Sequence, residues 1–232
     1  MALRLVTAPT VEPLTVSDAV VKQALRVIDT AEDAYITLLL TMAREACERI
    51  TRRALMTQTW ALTMDKFPAP GMETSSANWY GPAWGTGPGP LTVTRPDGVS
   101  QTEIWLPKCP IASVSSIVYW DQFGVQQTLD PSQYIVDTAS EPGRITPAVN
   151  SAWPATWNRA NAVTVTYVAG WPDAASVPAS VKQWILMTVA TLYENREAVA
   201  ILQRGSIQEL PYVDTLLDSL RVQTFDPPSY WS

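Results

Sequence analysis

The chain has 232 residues, 47% hydrophobic and 16% charged, with ten Trp and a formal net charge of −6. Length and apolar content suffice for a real core, while the acidic balance excludes a binder held to nucleic acid by phosphate neutralisation, which needs clustered Lys and Arg. The chain contains no His, which removes the commonest general base and the commonest metal ligand together.

Thr15 and Asp18 in "PLTVSDAVVKQAL" form a variant capping box, and Val16, Ala19, Val20 and Ala24 repeat at helical spacing, which predicts a short first helix. Thr30 and Asp33 repeat the start signal. Behind them Tyr35, Leu38, Leu39, Met42, Ala46 and Ile50 predict one apolar stripe over about five turns, ending in the basic run Arg49, Arg52, Arg53, which suits a helix C-terminus. From "LMTQTWALTMDKF" the period changes to two, and Gln58, Trp60, Leu62 and Met64 alternate against their neighbours as in a strand.

Residues 68–90 concentrate Pro and Gly and read as a long loop, whose Trp79, Tyr80 and Trp84 argue for function over linker. Strand signals resume in "LTVT", "EIWLP", "SVSSIVYWDQFGVQQTL", "QYIVD", "GRITP" and "NAVTVTYVAGW", with Asp121 to Gly124 the clearest hairpin turn. "SVPASVKQWILMTVATLYENREAV" returns to the helical period, with Pro178 in a favoured first-turn position and Val181, Trp184, Ile185, Thr188, Val189 and Leu192 along one side. "PYVDTLLDSLRV" is a short amphipathic helix, and "QTFDPPSYWS" follows it as a tail.

The order predicts an α+β fold: a helical bundle formed by N- and C-terminal helices, with an antiparallel β domain inserted between them. The divisions are 1–56 for the N-terminal helices, 57–171 for the β domain, 172–222 for the C-terminal helices and 223–232 for a C-terminal arm. Near the end of the long third helix, Glu194 and Glu197 stand three apart and repel, and Arg196 has no acid one turn away. Partners are expected outside that helix: an acid for Arg196, and Arg44, Arg49, Arg52 or Arg53 of the second helix or a neighbouring subunit for the two glutamates.

Catalytic chemistry has little support. Cys47 and Cys109 lack CxxC spacing and lie in dissimilar contexts, which suggests a reducing compartment and neither a disulfide framework nor a structural metal. No GxxxxGK[ST] or GxGxxG stretch is present, and the glycines of "GPAWGTGPGP" alternate with Pro, which cannot donate an amide to phosphate. No window approaches a membrane span, and the opening "MALRLVTAPTVEP" does not read as a signal peptide. Low charge and many Trp are instead the composition of a surface buried against other chains. The competing reading is a carbohydrate-binding module that stacks sugars on Trp79, Trp84, Trp153 and Trp157, with Trp60, Trp105 and Trp120 in the strand core.

The ordered set "PLTVSDAVVKQALRV", "TAEDAYITLLLTMAREACERITRRALMTQTWALTMDKFP", "LPKCPIASVSSIVYWDQFGVQQTLDPSQYIVD", "PGRITPAVNSAWPATWNRANAVTVTYVAGW" and "VPASVKQWILMTVATLYENREAV", with the closing helix, resembles the head-tail connector, or adaptor, family of tailed bacteriophages and gene transfer agents. The likeness is to its longer form with a β insertion. It implies a structural virion protein without enzyme activity or cofactor, found in the particle neck and in host cytoplasm during assembly. It implies a homo-oligomeric ring, typically of twelve copies, between the portal protein and a tail or head-completion protein, with DNA passing through the bore without sequence-specific binding. The C-terminal segment of that family commonly reaches the portal, which assigns Phe225, Pro227, Pro228, Tyr230 and Trp231 to a portal-docking arm. Trp79, Tyr80, Trp84, Glu194, Arg196 and Glu197 are expected at subunit or next-component interfaces.

Overall fold

A computed structural model describes residues 1–68, 102–195 and 211–222. Among these residues four α-helices, α1 (Ala19–Leu25), α2 (Asp33–Thr51), α3 (Ala179–Glu194) and α4 (Pro211–Asp218), pack together. Among the described residues, eight strands make two antiparallel sheets. The larger has the order β1 (Ala2–Thr7), β2 (Gln58–Met64), β8 (Val163–Ala169), β4 (Ile111–Trp120), β5 (Gln126–Thr128). The smaller has the order β3 (Ile104–Leu106), β7 (Gly143–Pro147), β6 (Tyr134–Asp137). The fold is α+β, as the change of period along the sequence implies.

Each layer has its own core. Between the helices, Ile36, Leu39, Leu40, Ala43 and Cys47 of α2 meet Val181, Trp184, Ile185 and Val189 of α3, with Leu217 of α4. Between the sheets, Leu62, Ile104, Leu106, Ile117, Ile145, Val165 and Tyr167 are fully or almost fully buried. The Tyr167 hydroxyl, carried into that apolar layer, donates to the Pro107 carbonyl at 2.6 Å, which satisfies the one polar atom its burial would otherwise strand.

Three features differ from the sequence reading. β1 lies in the segment read as purely helical, and its residues are almost all exposed; pairing with β2, from Ala2 opposite Thr63 to Thr7 opposite Thr59, holds it in place rather than side-chain burial. The buried face of α2 is the expected stripe only in part: Leu39 is buried and Tyr35, Ala46 and Ile50 pack against the core, but Leu38 and Met42 are 56% and 48% exposed while Arg44 and Glu48 are buried. Trp105 is not core either; it stands 40% exposed on the outer face of the smaller sheet with the Arg144 guanidinium 5.9 Å from its ring centroid. The "LTVT" strand and, apart from Pro68, the loop 68–90 lie outside the described residues.

Gly170 fixes how the layers join. It sits just past β8 with φ +108°, and a Cβ there would come within 2.0 Å of the Met56 carbonyl oxygen. Only glycine accepts both that backbone conformation and that approach. Its N–H donates to the Pro110 carbonyl at 2.8 Å, and Met56 and Trp171 form a bridge beside it.

Candidate functional site

A buried polar seam runs along the helix–sheet junction. Arg44 on α2 donates through Nε to Glu12 Oε2 at 2.8 Å and through Nη1 to Glu48 Oε2 at 3.1 Å. The other oxygen of Glu48, Oε1, accepts from the Leu55 backbone N–H and from Gln58 Nε2, each at 2.8 Å. Glu48 therefore satisfies a guanidinium, the start of the chain leaving α2, and the first residue of β2. Burial raises the Glu12 carboxyl above its ordinary value despite the opposing pull of Arg44, and burial lowers the Lys108 ammonium, which donates to the Glu48 carbonyl at 3.3 Å.

Arg53, one residue past the left-handed cap at Arg52 (φ +59°), makes the second junction. Its Nε donates to the Leu220 carbonyl at 2.6 Å, and its two terminal nitrogens grip both oxygens of Glu141. One side chain thereby ties α2, the segment after α4 and the loop before β7. The Arg53 hydrogen bonds hold the Glu141 carboxyl below its ordinary value. The Val222 N–H donates to the Thr51 carbonyl at 3.1 Å, so the last described residue leaves from the C-terminal end of α2.

The β4–β5 hairpin presents an aromatic tip. The Asp121 carboxylate accepts the Phe123 and Val125 backbone N–H groups at 2.9 Å each, and these bonds, that from Val125 foremost, lower its pKa. Gly124 takes φ +77° to complete the turn. Phe123 is left 89% exposed, while the Arg159 guanidinium lies 4.6 Å from the Trp120 ring centroid and 5.6 Å from that of Trp157. A rigid turn carrying exposed aromatics and an Arg has the make-up of a protein-contact hot spot. Trp153 is engaged within the fold: it stacks on Phe67 with centroids 4.9 Å apart and donates Nε1 to the Thr102 carbonyl at 2.6 Å.

Of the residues singled out from sequence, Glu194 is described. It is the last residue of α3 and is exposed. Asn195 leaves helical dihedrals (φ −107°, ψ 79°), and both its backbone N–H and its side-chain amide cap the Thr191 carbonyl. The helix thus stops before Val199, where sequence periodicity had carried it. Arg44 and Arg53, considered as partners for the glutamates, are engaged by Glu12, Glu48 and Glu141. Trp79, Tyr80, Trp84, Arg196, Glu197, Phe225, Pro227, Pro228, Tyr230 and Trp231 lie outside the described residues. The seam went unread in the sequence; its one local signal is Arg44 and Glu48 at i, i+4 on the same side of α2 as Leu40 and Cys47.

Among the described residues, no group of three or more Cys, Asp or Glu could hold a metal ion, and no helix is long and apolar enough to cross a membrane. No family model and no curated protein matches the chain. Solved structures do match. A chain from the virion of a native gene transfer agent particle superposes with a TM-score of 0.66 at 20% identity, over 96% of each chain. Chains from the neck of an empty particle computed with C6 symmetry and from the neck of a native particle computed with C12 symmetry give TM-scores of 0.65 and 0.60 at 21% and 20% identity, again over 96% of each chain. The fold of this chain is therefore that of gene transfer agent neck and virion chains along almost its full length.

Proposed function

We propose that the chain is a structural subunit of a particle neck: a head-tail connector adaptor that closes into a ring, of twelve copies by analogy with the C12 neck, between the portal and the tail or next connector component. The observation that carries this is the end-to-end likeness to neck chains, 96% of both lengths, with no large segment of either left over. The molecule's chemistry supports it. Charge is sparse, polar groups are spent on tying layers together, and aromatics are displayed outward at Phe123, Trp157 and Trp105. The reading assigns no catalytic step. DNA passes the bore of a ring whose subunits are each net negative, so phosphates find no general adhesion there.

Within this reading Phe225, Pro227, Pro228, Tyr230 and Trp231 form an arm that docks on the portal. It starts from a defined anchor, since Val222 is hydrogen-bonded to Thr51. Trp79, Tyr80 and Trp84, with Glu194, Arg196 and Glu197, contact a neighbouring subunit or the next component. The test is to assemble particles without this chain, and separately with a chain truncated after Val222. Tailless heads in the first case, and a folded ring subunit that no longer binds portal in the second, are expected. Normal tailed particles without the chain would sink the reading, and normal portal binding by the truncated chain would remove the arm.

A further inference from the structure

Val222 is the point from which the proposed portal-docking arm departs, and the contacts around it are specific. α4 ends at Asp218 and a turn closes behind it, with the Leu220 and Arg221 N–H groups donating to the Leu217 carbonyl at 2.9 and 3.0 Å. Leu217 is fully buried and Leu220 packs against the helical core, which seats the turn. Beyond it the main chain is held from the C-terminal end of α2. The Val222 N–H donates to the Thr51 carbonyl at 3.1 Å, and the Leu220 carbonyl accepts from Arg53 Nε at 2.6 Å. Packing seats the turn, whereas the direction in which the chain leaves it depends on these two bonds.

Arg53 is itself held with little freedom. Its side chain is 7% exposed, and its two terminal nitrogens engage both oxygens of Glu141, in the loop before β7. The backbone beside it is pinned as well, since the Ala54 N–H donates to the Cys109 carbonyl at 3.0 Å. A planar guanidinium gripped at both prongs of its fork has a fixed orientation, so Glu141 aims Nε at the Leu220 carbonyl. A Lys ammonium, a compact charge on a flexible stem, does not reproduce that fork.

We infer that Arg53 is the positioning residue of the C-terminal arm: held by Glu141 and bonded to the Leu220 carbonyl, it sets where and in which direction the chain leaves for its partner. The inference rests on the arm reading above and names the residue that orients it. The effect is preorganisation. A root already fixed in place leaves less conformational entropy to be lost when the residues beyond it bind, so portal affinity depends on a side chain buried inside the chain. Glu141 belongs to the inserted β block and Leu220 to the helical layer, so the root is tied to both.

The experiment measures binding of the full chain to portal, well below the thermal midpoint of every variant. Arg53→Lys should weaken binding about tenfold, and Glu141→Gln, which keeps one acceptor for the fork, should weaken it less. Exchange of the Val222 amide in the free chain should speed up at least several-fold in Arg53→Lys. Ile36→Ala, in the buried core at the opposite end of α2, separates positioning from stability. It should lower the midpoint yet leave portal affinity within about twofold of wild type. If Arg53→Lys also binds within about twofold while truncation after Val222 abolishes binding, Arg53 does not position the arm and the arm reading stands. An affinity loss in Ile36→Ala equal to that in Arg53→Lys would likewise overturn the inference, since stability alone would then account for both. Normal binding by the truncated chain takes down the arm reading and this inference together.

Discussion

Replacing Glu48 by Ala tests the seam. The side chain is 10% exposed and serves three partners at once, Arg44, the Leu55 N–H and the Gln58 amide, and through them the turn from α2 into β2. Removing one partner of a buried ion pair costs about 3–5 kcal/mol. Glu12 still holds Arg44 at 2.8 Å, which lowers that figure, while the stranded Leu55 and Gln58 donors each add about 1–3 kcal/mol. A net loss of about 4 kcal/mol follows, or roughly 8–16 °C in midpoint for a chain of this size. Thermal unfolding followed by far-UV circular dichroism measures it. Glu48→Gln keeps an acceptor for the two neutral donors and should lose less than half as much. A double-mutant cycle with Arg44→Met should show a coupling of at least about 1 kcal/mol. A midpoint within 2 °C of wild type for Glu48→Ala, a shift of under about 1 kcal/mol, would refute the claim that this network holds the layers together.

Gly170→Ala should cost at least about 2–3 kcal/mol, because a Cβ would sit 2.0 Å from the Met56 carbonyl oxygen at a positive φ; urea unfolding with an unchanged midpoint would contradict this. Glu141, held low by Arg53, stabilises the fold above the ordinary carboxylate range, and that contribution is lost as pH falls through its lowered folded value. The stability gap between wild type and Glu141→Gln should therefore be widest near neutrality and close in acid, whereas Glu12, raised by burial, favours the fold as it protonates and shows the opposite sign. Burial pushes the Cys47 thiol up to about 12, so a thiol reagent should leave both cysteines untouched in the native chain and label two in denaturant. Rapid labelling of the native chain would show that the junction opens.

The succession of layers was legible because the hydrophobic period changes from helical to two at Thr57 and back at Pro178. The face of α2 was legible only in part, with Leu38 and Met42 misplaced. Leu38, Leu39 and Leu40 are consecutive, so apolar periodicity alone admits two faces, and the buried one is chosen by Arg44 and Glu48 satisfying each other and Gln58. Polar residues at those positions read as solvent-facing until their partners are known. Arg53 and Glu141 are 88 residues apart and share no local signal. β1 escaped because its side chains are exposed and only its pairing with β2 marks it as a strand. The end of α3 was overrun because "ENREAV" continues a helical pattern, while Asn195 folds back to cap Thr191. The hairpin at Asp121 to Gly124 was readable, since its turn chemistry is local; the exposed Phe123 and the Arg159 stacking beside it depend on Trp157, from a distant segment.

The mass of the chain assembled on its portal, measured under native conditions, tests the central claim most directly. A closed ring predicts an added mass of about twelve times the 25.5 kDa of one chain, in a single discrete step. A single copy bound to the portal, or a distribution of lengths growing with concentration, would contradict it.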